Sequence, residues 1–454
     1  MKSIVPVSPH TGSLMPEIKC TDLINISEIV AKSRIAQKKW KKIPFRIRCE
    51  VMCDFADELS RQKLEIADTI SQEMGKILSE AKEEVEMAIQ RIQTDIKFME
   101  EAILPTHRHF NGGKAVTHWM PLGVAAVITP WNAPVLLSTE LLVPSLLAGN
   151  SVLYKPSELT TKTGKTLYKA LSKYLPNDVL QLVIGAAQQG QELVQSEIDF
   201  VAFVGSRMVG AEIYRNAASR NCRLLMELGG NDAMIVLPDA DLEKTADFAL
   251  RTSLSNAGQI CFSVERIYVH QEIKSSFLRI LLEKVTSVTV GDDIKGNICY
   301  GPMSSEKQLI NVLNHIDDAV KKGATLHFGG KQIHSPGFHM EPTVISNLND
   351  TMLMSQEETF GPVMALHSVS SVEEAIEKAN NSRYGLTATV WTQDTTLAQQ
   401  IALEMEVGLV GINGSYFGAT GVPWAGAKAS GLGHTGGVSG MRYFLQPRTV
   451  TIRS

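Results

Sequence analysis

Between about residues 26 and 104, apolar positions recur at three- and four-residue steps with charges between them: Ile29, Ile35 and Ala36, then Val51, Met52, Phe55, Ala56 and Leu59. That spacing gathers apolar side chains on one face of a helix, so the chain is predicted to open with packed helices. Pro105 follows the last of them. From Arg108 to Trp119 a turn signal, Asn111-Gly112-Gly113, separates two short extended runs and predicts a protruding hairpin.

Beyond residue 123 the pattern changes to short runs rich in Val and Ile. Val124–Ile128, Ser151–Tyr154, Leu180–Ile184 and Phe200–Val204 are each followed by a loop carrying Pro, Gly or Ser and then by a helical segment. Such alternation predicts βαβ units and a parallel sheet. Ligands of these sheets bind at the carboxyl ends of the strands, where Asn132, Lys155, Gly185, Gly205 and Ser206 fall. A second alternating set begins at Ala233–Leu237, includes Arg266–His270 and runs to about residue 430. The tail, Arg448–Ile452, alternates in the manner of a strand that pairs with an edge.

Composition narrows the function. A chain of 454 residues, 44% hydrophobic and 20% charged, is ordinary globular material with a large core. Its formal net charge is -4 and it has no basic block that would track nucleic acid; Lys38, Lys39, Lys41 and Lys42 read as the solvated end of a helix. The prolines at 6 and 9 interrupt any export signal, and residues 122–154, the most apolar stretch, are broken by Pro130, Asn132, Pro134, Glu140, Pro144 and Asn150, so no membrane helix is expected. The six cysteines (20, 49, 53, 222, 261 and 299) form no CxxC pair and have no zinc-like His spacing, which suits a reducing cytoplasm and argues against a metal. Cys49 and Cys53, four apart in a helical pattern, read as small buried hydrophobes.

One of those cysteines stands apart. Cys261, in Gly258-Gln259-Ile260-Cys261, lies 34 positions after Glu227-Leu228-Gly229-Gly230. A thiol can hold an acyl group, and a carboxylate base beside it can activate the water that releases it. A reactive thiol needs its thiolate and so favours backbone N–H groups, a helix N-terminus or a cation; the Gly-Gln turn before Cys261 is a suitable setting. With Pro130-Trp131-Asn132 upstream and Glu358-Thr359-Phe360-Gly361-Pro362 downstream, this order of motifs resembles the NAD(P)-dependent aldehyde dehydrogenase superfamily over nearly the whole chain.

The resemblance implies an α/β fold with a Rossmann-like cofactor-binding domain (residues 1–104 and 121–229), a second α/β catalytic domain (230–430) and a small β element for oligomerisation (105–120 and 431–454). It implies Cys261 as nucleophile, Asn132 as oxyanion donor together with the nucleophile's own N–H, and Glu227 as hydrolytic base. Its cofactor contacts would be Thr129, Pro130, Trp131, Lys155, Ser157, Glu158, Gly185, Gly205, Ser206, Leu228, Gly229, Glu358 and Phe360. Glu158, placed to accept from a ribose 2′-OH, would repel a 2′-phosphate and favour NAD, with NADP possible.

The pocket would be lined by Ile260 and Phe262 beside the nucleophile and by Tyr416 and Phe417, which suggests an apolar or aromatic aldehyde. Relatives that oxidise succinate semialdehyde carry an arginine eight residues after the motif asparagine, where this chain has Glu140. Facing the pocket, Glu140 would disfavour anionic aldehydes; facing away, it would pair with a neighbour. Two departures from the leading reading remain open, a semialdehyde dehydrogenase and, against the presence of Glu227, a CoA-acylating enzyme. A third is a non-catalytic protein on the same fold. The family assembles as dimers or pairs of dimers, so a homo-oligomer acting on a small aldehyde is expected.

Overall fold

The computed structural model describes residues 2–291, 299–333, 336–415 and 419–453. Tyr416 and Phe417 lie outside them. The three opening helices run Ile26–Trp40, Phe45–Met74 and Leu78–Ala102. Phe45–Met74 starts after Pro44 and stops at Gly75, whose φ of 91° a side chain would resist. Trp40, Met52, Phe55, Leu59 and Ile70 from these helices share one core with Ala125, Val127 and Tyr154 from the adjacent sheet. Ile35, expected on the apolar face, is 61% exposed, because the first helix buries Ile26, Val30, Ala36 and Trp40 instead. Cys53 is exposed and Cys49 half-buried, so the expectation that both are buried hydrophobes does not hold; their helix turns that edge toward solvent.

That sheet has six strands in the order Gly431–Leu432, Arg223–Glu227, Phe200–Val204, Val124–Ile128, Ser151–Lys155, Leu180–Leu182. The last five are parallel, and the chain starts in the middle, at Val124–Ile128, before building outward to either side. Strand order therefore reverses between Val124–Ile128 and Phe200–Val204, and a crevice opens beyond their carboxyl ends. The third predicted strand ends two residues early, at Leu182.

The second large sheet has seven strands: Thr325–Phe328, Thr343–Ser346, Val363–Val369, Val264–His270, Asp232–Val236, Thr387–Trp391 and Leu409–Ile412, with only the first antiparallel to its neighbour. Its five inner strands are almost wholly buried, as expected where helices cover both faces, and its two edge strands are not. The predicted hairpin forms from Thr106–Phe110 and Gly113–Pro121. The tail strand Leu445–Arg453 pairs with the second of these across nine residue pairs, making a three-stranded antiparallel sheet. Among the described residues no helix is long and apolar enough to cross a membrane, and no cluster of side chains is suited to a metal ion.

Candidate active site

Two cavities meet where the large sheets face each other, with Val204 lining both. The first, of about 350 Å³, is lined by Cys261, Glu227, Leu228, Phe262 and Glu140. The second, of about 270 Å³, occupies the crevice at the strand-order reversal.

Cys261 is half-buried and is reached through an unusual turn, Ser255–Gly258, in which Asn256 (φ 52°), Ala257 (φ 56°) and Gly258 (φ 71°) are all left-handed. A Cβ on Gly258 would come within 2.1 Å of the Gly361 carbonyl oxygen, so glycine is required there. The Cys261 thiol follows directly on this turn, after Gln259 and Ile260. Burial, followed by the carboxylates of Glu358, Asp232, Glu227 and Glu140, pushes it well above the ordinary thiol range. It is therefore held protonated and must be deprotonated to react.

Glu227 closes its strand and is 5% exposed, not solvated. Neither carboxylate oxygen has a hydrogen-bond partner. Burial, then the charge of Glu140, drives this carboxyl well above its usual range. The Thr435 backbone N–H and the Trp424 indole offset that rise in part, but neither completes a hydrogen bond to it. The glycines that follow permit close approach: a Cβ on Gly229 would sit 2.1 Å from Glu358 Oε2, and one on Gly230 would sit 2.4 Å from the Cys261 carbonyl oxygen. Gly230 donates its N–H to Glu358 Oε1 at 3.0 Å.

Asn132 is buried on the loop after Val124–Ile128 and donates from Nδ2 to the carbonyl of Gln259 at 3.1 Å, two residues before the thiol. Glu140 satisfies both readings at once. It lines the cavity, yet its Oε1 accepts from Arg91 Nη2 (3.1 Å) and Thr435 Oγ1 (2.7 Å). Arg91 also donates from Nε to Asp95 Oδ1 at 2.8 Å, and burial lifts the Asp95 carboxyl to about 6. Sequence reasoning missed Arg91 and Asp95. Their signal was a polar pair four apart on a helix face that otherwise runs through Met87 and Phe98 into the same cavity. Phe262 forms an aromatic wall with Trp424, centroids 5.6 Å apart. Ile260 lines neither cavity.

The crevice is lined by Thr129, Pro130, Trp131, Lys155, Ser157, Glu158, Gly205 and Ser206. Ser206 caps the helix Arg207–Ala218 by accepting from the Val209 N–H, and Ser157 accepts from the Leu159 N–H. Lys155 is buried, and burial lowers its pKa against the opposing pull of Glu158. Gly185 departs from expectation. It packs against Gln189, where a Cβ would come within 2.3 Å, and its neighbours Ala186, Ala187 and Gly190 line the crevice in its place.

Phe360, at a left-handed φ of 54°, meets Trp131 of the crevice edge-on at 5.5 Å. Its loop is gripped by Glu265, which accepts the N–H groups of Thr359 (2.7 Å) and Phe360 (2.8 Å). Burial raises the Glu265 carboxyl to about 7. Glu265 also escaped the sequence reading, although a glutamate inside the apolar strand Val264–His270 is a visible anomaly.

A crevice at a strand-order reversal, beside a cavity with a thiol and an unpaired carboxylate, has the form of a nucleotide-linked oxidoreductase. The chain belongs to the aldehyde dehydrogenase family, whose model matches residues 2–450. It is 34% identical to a putative NADP(+) succinate-semialdehyde dehydrogenase of Mycolicibacterium smegmatis, covering 97% of this chain and 87% of the relative. It is also 34% identical to the 4,4'-diapolycopene aldehyde oxidase of a Methylomonas species, covering 98% and 85%. The lactaldehyde dehydrogenase of Escherichia coli superimposes with a TM-score of 0.96 at 30% identity, covering 100% of this chain and 96% of that one.

Proposed function

We propose that the protein oxidises an aldehyde to its carboxylic acid through a covalent acyl-Cys261 intermediate, with NAD(P) as hydride acceptor. The observation that carries this reading is that Cys261 and Glu227 line one cavity that joins the strand-reversal crevice at Val204. The crevice residues fit a dinucleotide. Lys155 and Glu158, both lining the crevice, would partner ribose hydroxyls, Gly205 and Ser206 at the start of the helix Arg207–Ala218 would meet phosphate, and the glycine at 229 leaves room beside Glu358. When bound, the nicotinamide supplies the site that takes up hydride.

Cys261 gives its proton to solvent and attacks the carbonyl carbon as thiolate, and the resulting oxyanion lies against the Asn132 amide and the Cys261 N–H. Collapse of that oxyanion breaks the carbon–hydrogen bond, the hydrogen leaving as hydride, and leaves a thioester on Cys261. Glu227, unpaired and buried, takes a proton from water, whose oxygen attacks the thioester and frees the acid. A base so placed supports hydrolysis over transfer to CoA, and the intact set of thiol, amide and carboxylate argues against a non-catalytic role.

The aromatic wall of Phe262 and Trp424, with Asp95, Glu140 and Glu227 around it, supports a neutral, apolar or aromatic aldehyde. A second reading, a semialdehyde dehydrogenase, is favoured by the Arg91 guanidinium in the same cavity and by the name of the Mycolicibacterium relative. Two of the Arg91 nitrogens are already engaged by Asp95 and Glu140, which is why the neutral substrate is preferred here. Glu158 in the crevice supports NAD, although that relative carries NADP(+) in its name. Comparing kcat/KM across anionic, cationic, aliphatic and aromatic aldehydes, each with NAD and with NADP, tests both choices. Neutral aldehydes with NAD are expected to lead; a strong preference for succinate semialdehyde would overturn the substrate reading.

The three sheets correspond in this reading to the cofactor-binding, catalytic and bridging parts, and the scattered cysteines fit a cytoplasmic setting. The bridging sheet ends in a strand whose residues 446–453 are exposed, with Val450 at 46% and Ile452 at 50%. Such an edge invites pairing with a second copy. Deleting residues 444–454 is expected to lower the sedimentation coefficient to that of a smaller species; an unchanged profile would count against a bridging role.

A further inference from the structure

The left-handed turn before Cys261 is tied to a residue far from the cavity's chemistry. Glu80, in the first turn of the helix Leu78–Ala102, accepts the Asn256 backbone N–H at 2.9 Å through Oε1. Asn256 is 6% exposed, and its Nδ2 donates to two carbonyls at once, those of Asn132 (3.1 Å) and Gln259 (3.1 Å). The Gln259 carbonyl is the same atom that receives Asn132 Nδ2. Gln259 in turn returns a bond from Nε2 to the Asn256 carbonyl (2.9 Å) and accepts the Ser304 N–H (2.8 Å).

Asn256 thus clamps two segments: the loop that carries the oxyanion donor and the peptide that leads into the nucleophile. It does so from a backbone conformation that L residues avoid, and asparagine is among the few that tolerate it. Ala257 beside it has no such excuse at φ 56°. A strained two-residue turn persists only when its surroundings hold it; Gln259 holds the Asn256 carbonyl from within the segment, and Glu80 holds the Asn256 N–H from outside it. Its other oxygen, Oε2, is buried without a partner, so Glu80 pays a desolvation cost that a purely helical surface glutamate would avoid.

We propose that Glu80 and Asn256 are positioning residues that fix the Asn132 amide relative to Cys261, and thereby set oxyanion stabilisation. The proposal rests on the roles assigned above to Cys261 and Asn132. Its consequence is selective. Reactions of Cys261 that build an oxyanion need the clamp, whereas a displacement at sp³ carbon, which builds none, does not.

That difference gives a test without cofactor. In p-nitrophenyl acetate the Cys261 sulfur bonds to the acetyl carbon, the carbonyl electrons pass to oxygen, and their return expels p-nitrophenolate and leaves acetyl-Cys261. Iodoacetamide alkylates the same sulfur by displacing iodide, with no oxyanion. Both need the thiolate, so a change in thiol ionisation alters them together and a misplaced Asn132 alters only the first. The variants are Glu80→Ala, Glu80→Gln, whose amide oxygen still accepts the Asn256 N–H, and Asn256→Gly, which removes the clamp while leaving a residue at ease with positive φ.

The expected result is a p-nitrophenolate burst slowed at least about 10-fold in Glu80→Ala and Asn256→Gly, with alkylation within about 2-fold of the parent and Glu80→Gln largely restored. Bursts equal to the parent's, burst and alkylation falling together, or a Glu80→Gln burst as slow as that of Glu80→Ala would overturn the proposal. A parent protein with no burst, matching Cys261→Ala, would instead overturn the assignment of the nucleophile on which it rests.

Discussion

Replacing Cys261 with alanine is expected to abolish aldehyde-dependent reduction of NAD(P), by at least about 10⁴-fold in kcat/KM, because Cys261 is the thiol of the cavity lining. The remaining lining groups are carboxylates, a guanidinium already engaged by Asp95 and Glu140, the Thr94 and Thr420 hydroxyls, which are weaker nucleophiles than a thiolate, the Gln90 amide, the Met87 thioether, and aromatic or aliphatic carbons. The other described cysteines are outside the cavity lining. The substitution removes one small atom from a half-buried site, so the fold and dinucleotide affinity should persist. Stopped-flow absorbance of the reduced nicotinamide, with cofactor binding measured by fluorescence, checks both. Retained turnover in Cys261→Ala would remove the thioester from the mechanism.

The second large effect separates the two halves of the reaction. Glu227→Gln keeps the side chain's shape but cannot take a proton from water, and loss of a general base costs about 10²- to 10⁴-fold. Because the base is needed only after hydride has left, this variant should give a burst of one reduced nicotinamide per site and then stop. Mass spectrometry of the quenched protein should find the acyl group on Cys261. Turnover at the parent rate, or no burst at all, would sink the assignment.

The pH dependence follows from the same residue. Glu227 works as a base only when ionised, and its carboxyl is held well above the usual range. Steady-state turnover of the parent limited by acyl release should therefore be low in acid and rise with pH through that elevated titration. Cys261 is raised as well, so the burst should also quicken as pH rises, in the parent and in Glu227→Gln alike. Only the multiple-turnover rise belongs to Glu227.

Much of the architecture was legible because it depends on periodicity. The step from three- and four-residue spacing to short Val- and Ile-rich runs marks where helices give way to the parallel sheet, and the strands at 124, 151 and 200 start where the apolar runs start. The Leu180 strand ends early because Ile184 leaves the neighbouring strand and pairs with Thr21 instead, its N–H donating to the Thr21 hydroxyl and its carbonyl accepting the Thr21 N–H. Ile35 shows the limit of the method. A helix with apolar residues on more than one side does not say which side the rest of the protein will cover.

The candidate site divides in the same way. Cys261, Glu227, Asn132 and the Glu358 loop were visible as motifs, since each reactive side chain lies within three residues of a glycine or proline: Gly258, Gly229, Pro130 and Gly361. The roles of Arg91, Glu265 and Glu80 were not, because each acts on a partner distant in sequence: Arg91 on Glu140, Glu265 on residues 359 and 360, Glu80 on Asn256. No local pattern encodes such a pairing.

The sequence by itself determined the kind of chemistry, because a thiol, an amide and a carboxylate have reactivity wherever they are placed, and the succession of helices and strands along the chain, because alternation is local. Only the tertiary structure decided the state of those groups. Burial leaves Glu227 unpaired and the Cys261 thiol protonated, and it gives Glu140 a cation where the sequence offered only a charge facing one way or the other. The reason is that ionisation and hydrogen bonding depend on the surrounding dielectric and on neighbours from other segments, and both come into being only when the helices and the two large sheets close around the cavity.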